Sequence, residues 1–349
     1  MTIRERILAT LYWKEPDQIP LTIYGHLIPQ GEPERRLREM GLGLTGGARV
    51  FSSQHQNIEI VQREYREQGQ KRIRQTIKTP IGDVSQESIP DTSPYSGGDI
   101  KQEYYVKGPD DYKVMEYILN DPVYRPTYES VHERIRIVGE DGLVYIGLPK
   151  QTLQTMLYEL LGFEQFTIDY FERRDLFDSL YSTLAKRHEE VYEIAAGAPV
   201  EILRLGANVS AEVVGDERYR AYLMPQYARL RQMLRGTDKK VYVHMDGLLA
   251  PLADAIAEAE FDIVEALTPP PMGDISVARA REVWPNKGLW INFPGPTLLE
   301  SPDVVEDLAR EIVRQAGHKR GFIIAVTEDA PLEPMEKSLE VIARVLSEG

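Results

Sequence analysis

From residue 143 onward, short apolar runs and amphipathic stretches alternate regularly along the chain. LVYIGLP (143–149), VEILRLGAN (200–208), VYVHMD (241–246), FDIVEAL (261–267), GLWINFP (288–294) and GFIIAVTED (321–329) each read as a strand. Most of these runs are nearly continuously apolar, which marks strands covered on both faces. Helix-compatible segments follow at 151–161, at 163–198 with a joint at Arg173-Arg174-Asp175, and at 216–235. After residue 247, Leu248, Leu252 and Ile256 form an apolar helical stripe, and LEPMEKSLEVIARVL (332–346) predicts a final helix. Near the start, IPLTIYG (19–25) and ARVFSSQ (48–54) predict two more strands, separated by a helix in 32–43 with Gly41 as its C-cap.

The segment 57–88 has a different texture. Polar and apolar residues alternate there, with turn signals at Gly69 and Pro80-Ile81-Gly82, which reads as an antiparallel hairpin or meander. An edge strand in 103–109 and a helix over 110–119 follow. Eight core strands linked by right-handed crossovers predict an α/β fold, a (β/α)8 TIM-type barrel. The expectation is one barrel domain over 1–349, interrupted by an N-terminal antiparallel β-hairpin insertion at 57–106. A doubly wound open sheet competes less well, because no GxGxxG follows the first strand.

In such a barrel the chemistry gathers at the C-terminal ends of the strands. His244 and Asp246 lie two apart at the end of VYVHMD, so strand alternation turns them to the same side. Glu265 interrupts an apolar run on the next strand, where a lone charge is costly and calls for a partner. These three are the candidate catalytic residues, either as metal ligands or as an acid–base pair in which a carboxylate orients the imidazole. Each also has a structural reading: a strand-end histidine bonded to a carbonyl, an aspartate capping the next helix, or a glutamate paired with an arginine. Glu328, with Asp329, ends the last strand. Tyr24, His26, Asn208, Glu212 and Asp274 fall at the same rim level and are candidate pocket residues, Asp274 doubling as a cap for SVARAREVW.

Composition narrows the chemistry further. The chain is 42% hydrophobic and 28% charged, with a net charge of −14 that argues against a general nucleic-acid or anionic-membrane binder. It has no cysteine, which rules out disulfides, thiolate nucleophiles and cysteine-ligated metals. No apolar signal core or membrane-length run is present, so a cytoplasmic enzyme is expected.

The HMDG turn after VYV, the loop FDIVEALTPPPMGDIS and the ending VTEDAPLEPMEKSLEVI resemble the uroporphyrinogen decarboxylase superfamily over most of 15–346. That superfamily includes corrinoid-linked, zinc-dependent methyltransferases. The resemblance implies a barrel with its cleft at the strand C-termini, and a homodimer. The decarboxylases' Arg-Gln-Ala-Gly-Arg stretch is replaced here by GHLIPQGEPERR, with Arg35, Arg36 and Arg38 on an exposed helix face. The thiol-activating methyltransferases' His-x-Cys becomes His244-Met245-Asp246, and their later cysteine falls near Val326-Thr327-Glu328. The Glu-x14-Glu-x20-His zinc spacing of O-demethylating relatives is also missing. The resemblance thus implies a divergent member in which His244, Asp246, Glu265 and Glu328 hold zinc or another divalent ion. That ion would polarise an oxygen-bearing substrate whose methyl group passes to a corrinoid on a partner protein. A metal-free decarboxylase or lyase acting on a small carboxylic acid or porphyrinogen is the alternative. A non-catalytic ligand-binding barrel is the third.

Overall fold

The computed structural model describes residues 1–91 and 98–348. The chain divides into two compact units, one of residues 1–50, 127–148 and 195–349, the other of residues 51–126 and 149–194.

In the first unit, eight parallel strands close into a barrel among the described residues. In chain order they are Leu21–Tyr24, Leu42–Ala48, Gly142–Leu148, Ile202–Leu205, Lys240–His244, Ile263–Leu267, Gly288–Asn292 and Phe322–Val326. Each pairs with its neighbour in sequence, and Leu21 closes the ring by lying opposite both Leu42 and Ile324. The fold class read from the sequence is therefore the fold observed.

One strand differs from the expectation. The second barrel strand is Leu42–Ala48, whereas Phe51–Gln54 pairs antiparallel with Val123–Pro126 in the other unit. LGLTGGA looks too glycine-rich for a strand, but two of its glycines are explained by what packs on them. A Cβ at Gly43 would lie 2.9 Å from the Ile3 side chain, and one at Gly47 would lie 3.1 Å from the Tyr145 ring. The helix predicted over 32–43 stops at Glu39, and Gly41 takes a φ of +99° just before the strand.

The barrel interior is filled from alternate strand positions. Leu143, Ile202, Tyr242, Ile263, Trp290, Ile323 and Ala325 form one buried cluster, joined by Ile7 and Leu11 of the helix Ile3–Leu11. Each leucine and isoleucine among them contributes about 1.5–3 kcal/mol by leaving water. Trp290 keeps its indole N–H satisfied by donating to Thr22 Oγ1 at 2.9 Å.

The stripe after residue 247 is only partly realised. Leu252 and Ile256 are buried, but Leu248 is exposed, because a single helical turn begins at Ala250 and the helix proper at Ala253. Asp246 therefore caps no helix.

Lys287 is a buried lysine. Its ammonium donates to the carbonyls of Ala259 (2.7 Å) and Phe261 (3.1 Å), and burial pushes its pKa down to about 8. The native state binds this proton less tightly than the unfolded chain, so the penalty is full below about pH 8 and fades toward pH 10.5. Between pH 7.5 and 10, denaturant melts should show wild type gaining on the order of 2 kcal/mol relative to Lys287→Met. A difference that stays flat with pH contradicts this.

The second unit contains a four-stranded antiparallel meander, Glu59–Glu67, Gln70–Thr79, Gly82–Ile89 and Ile100–Glu103, where the sequence predicts the insertion. The edge strand thus precedes its predicted position at 103–109. The helix Pro109–Asn120 matches expectation, as do Gly162–Glu172 and Arg174–Ala196 with their joint at Arg173.

Candidate active site

Strand register brings the strongest sequence candidates together. His244 lies directly opposite Glu265 on the neighbouring parallel strand, and its Nδ1 sits 2.7 Å from Glu265 Oε2. The other carboxylate oxygen accepts a hydrogen bond from the Tyr24 hydroxyl on the first strand. Glu265 is 1% exposed, so both oxygens are satisfied within the barrel. The next residue, Ala266, has a φ of +65°, and the pairing with Gly288–Asn292 slips between Glu265 and Leu267. This bulge is a local strain of the kind that re-aims side chains beside functional sites.

A guanidinium completes the inner layer. Arg204, on the fourth strand, donates to the Tyr24 hydroxyl at 3.1 Å and reaches the Tyr145 hydroxyl at 3.4 Å. Its charge lies 5.1 Å and 5.6 Å from the centres of those two rings. Its Nε is buried with no hydrogen-bond partner. Gly147 stands opposite Arg204 in register, and a Cβ there would meet nothing within 4 Å. A Cβ at Gly206 would meet only the Arg204 side chain, at 3.6 Å. The missing side chain at Gly147 therefore leaves open space beside a half-buried cation.

The electrostatics follow from this packing. Burial pushes the Glu265 carboxyl up, but His244, Arg204 and Tyr24 outweigh it and hold it below its usual value. Burial, then the Glu265 charge, raises the Tyr24 phenol well above its ordinary range, so it remains a donor. Burial works against the Arg204 charge, yet Tyr242, Tyr24 and Glu265 more than restore it. The inner layer holds an ionised carboxylate, a permanent cation and an imidazole.

The remaining candidates stand around this centre. Asp246 lies just past the strand end, where Oδ1 accepts from the Gly247 N–H (2.8 Å) and the Thr268 hydroxyl (3.2 Å). Its own N–H donates to Asn208 Oδ1 at 2.8 Å, so Asn208 supports the turn. Burial and the Asp246 charge raise the Glu328 carboxyl, partly offset by His244. A Cβ at Gly295 would fall 2.5 Å from Glu328 Oε2, so the missing side chain leaves that carboxylate its place. Asp274 accepts from the backbone N–H groups of Leu249 (2.8 Å) and Ala250 (3.1 Å), fixing the loop after Asp246. Ser276, not Asp274, caps the helix Val277–Val283. His26 is exposed and stacks on Tyr24 at 5.8 Å, and Glu212 is exposed with its carboxylate 3.8 Å from the Cβ position of Gly247.

Zinc or another divalent ion is the group implied by the family resemblance, and the donor set does not fit it. There is no thiolate, Glu265 has both oxygens engaged, and Asp246 uses Oδ1 to hold its own turn. Among the described residues, no three His, Asp or Glu side chains are gathered so that they could hold a metal ion. The predicted set of His244, Asp246, Glu265 and Glu328 is thus not assembled as a ligand sphere. Glu265 is instead bonded to the imidazole.

Arg204, Tyr145 and Tyr242 are the site residues that sequence reasoning missed. Tyr242 is fully buried and packs on Tyr145 and Trp290, with ring centres 5.6 Å and 5.4 Å away. A signal was present: an arginine within the apolar run VEILRLG carries the same cost as Glu265 in FDIVEAL.

The sequence profile of the family described as Uroporphyrinogen decarboxylase (URO-D) matches residues 147–346, more than half of the chain. A methyltransferase from Methanosarcina mazei superposes with a TM-score of 0.61 at 13% identity, covering 100% of this chain and 99% of that one. A B12-independent methionine synthase from Shewanella sp. W3-18-1 gives a TM-score of 0.44 at 12% identity, covering 84% of this chain and 76% of that one. The first likeness establishes a shared barrel fold. No curated protein sequence matches the chain. None of the described helices is long and apolar enough to cross a membrane.

Proposed function

The chain belongs to the uroporphyrinogen decarboxylase family, and from that premise we propose that it is a carboxy-lyase-type enzyme acting on a small carboxylic acid. The observation that carries this reading is a half-buried guanidinium beside a His–Glu pair at the C-terminal end of the barrel. Arg204 grips a carboxylate that stays on the substrate, in the space left by Gly147. A second carboxyl group leaves as CO2, its bonding electron pair remaining on carbon. His244 carries a proton on Nε2 and delivers it to that carbon, while Nδ1–H remains bonded to Glu265. Glu265 and Tyr24 fix the ring and steady its charge, the role of the third group in an acid–base triad.

A second reading keeps the same machinery and changes the bond broken. The chain would take a methyl group off an oxygen-bearing substrate for a corrinoid carried by a partner protein, with His244 protonating the oxygen left behind. The open rim at Gly147 favours it, since a second, bulky reactant needs access there.

One assay separates the readings. CO2 release from a panel of di- and tricarboxylic acids should appear with wild type and fall by about 10²–10⁴-fold with His244→Gln. Methyl transfer from methoxyaromatics to reduced cobalamin, with no CO2 from any acid, would replace the first reading by the second. Saturable acid binding with neither activity would leave a ligand-binding barrel. In the productive case, Arg204→Met should raise KM at least tenfold with a smaller change in kcat, because it removes a grip shared by ground and transition states.

A further inference from the structure

We infer that a second anion site lies outside the barrel mouth, in a cleft of about 390 Å3 bordered by the helix Glu32–Glu39, the strand Leu42–Ala48 and the helix Glu129–Val138. Its ligand is a small oxyanion, carboxylate or phosphate, joined to an apolar body. Arg134 is the reason. Its Nε is buried without a hydrogen-bond partner, and the side chain forms no hydrogen bond or ion pair among the described residues. A buried, unsatisfied donor of this kind costs about 1–3 kcal/mol, so it calls for a partner.

The neighbouring acids cannot serve. Glu34 and Asp141 both line the cleft, and both are already bonded to Arg38. Arg35 adds a further cation to the wall, so three guanidiniums face two carboxylates. The backbone is shaped around Arg134 as well. A Cβ at Gly46 would lie 2.7 Å from its Nη2 and 2.8 Å from its Nε, and one at Gly25 would lie 4.0 Å from Nη2. The guanidinium thus lies flat on the strand, where any larger residue at 46 would displace it. Ile28, Leu44, Ile137 and Val138 supply an apolar wall. A flat guanidinium pairs with carboxylate or phosphate through two parallel hydrogen bonds.

Calorimetric titration with phenyl phosphate and with benzoate tests this, alongside inorganic phosphate as a head-group probe. It is run on wild type, Arg134→Gln, Arg134→Lys and Arg204→Met. One saturable binding event should survive Arg204→Met, weaken at least tenfold in Arg134→Gln, and weaken measurably in Arg134→Lys, which keeps the charge but loses the fork. The two aromatic probes show which oxyanion is preferred. Wild type that binds none of the three, or unchanged affinity in either Arg134 variant, would overturn the inference. Because Arg204→Met disables the mouth and Arg134 variants do not, failure here is distinguishable from failure of the proposed activity.

Discussion

His244→Gln should reduce CO2 release from the productive acid by about 10²–10⁴-fold while leaving its binding within a few-fold. Glutamine retains a polar side chain of similar reach and can still bond to Glu265, so the barrel stays folded. It cannot carry and release a proton near neutral pH. The expected pattern is a fall in kcat at nearly constant KM, the opposite of Arg204→Met. A variant that keeps wild-type kcat would remove the imidazole from the chemistry. A variant that loses both activity and fold would be judged by His244→Asn, which is smaller and strains the packing less.

Glu265→Leu should cost about 3–5 kcal/mol of stability, read as a lower denaturation midpoint. The substitution leaves Arg204 in the barrel without the carboxylate that balances it, and strips partners from the Tyr24 hydroxyl and His244 Nδ1. Glu265→Gln, which keeps the shape and one acceptor, should cost less. The effect depends on pH in a fixed direction. The native Glu265 pKa lies below its unfolded value, so the native state binds this proton more weakly. Its contribution is complete above about pH 4.3, the unfolded range, and is lost as pH falls through the native value. The gap between wild type and Glu265→Gln should therefore narrow on acidification. A gap that widens toward low pH would mean the carboxyl is protonated in the native state.

Much of the barrel was legible because six of its strands are written as apolar runs long enough to be covered on both faces. The second strand was not. LGLTGGA spends its positions on glycines that receive neighbouring side chains, so the packing information sits in Ile3, Ile7, Tyr145 and Arg134, far away in sequence. The His244–Glu265 contact was legible for a different reason: a lone acid in an apolar run demands a partner, and strand order names the adjacent strand. Asp246 shows the limit of the alternation argument, which holds only inside a strand. This strand ends at His244, so Asp246 turns into its own loop. The left-handed backbone at Ala266 has no sequence signal, since alanine is not the residue that conformation favours. Nor could spacing show that Glu265 would spend both oxygens on Tyr24 and His244, which is what removes it from a metal's reach.

The most direct measurement is the tautomer of His244, read from nitrogen chemical shifts in protein labelled at histidine and assigned with His244→Gln. In the neutral ring the proton should reside on Nδ1, shared with Glu265, and Glu265→Gln should shift that resonance strongly, leaving Nε2 as the nitrogen that meets substrate. A proton found on Nε2 with Nδ1 bare, or a His244 signal indifferent to Glu265→Gln, would contradict the assignment of this pair as the proton-transfer centre.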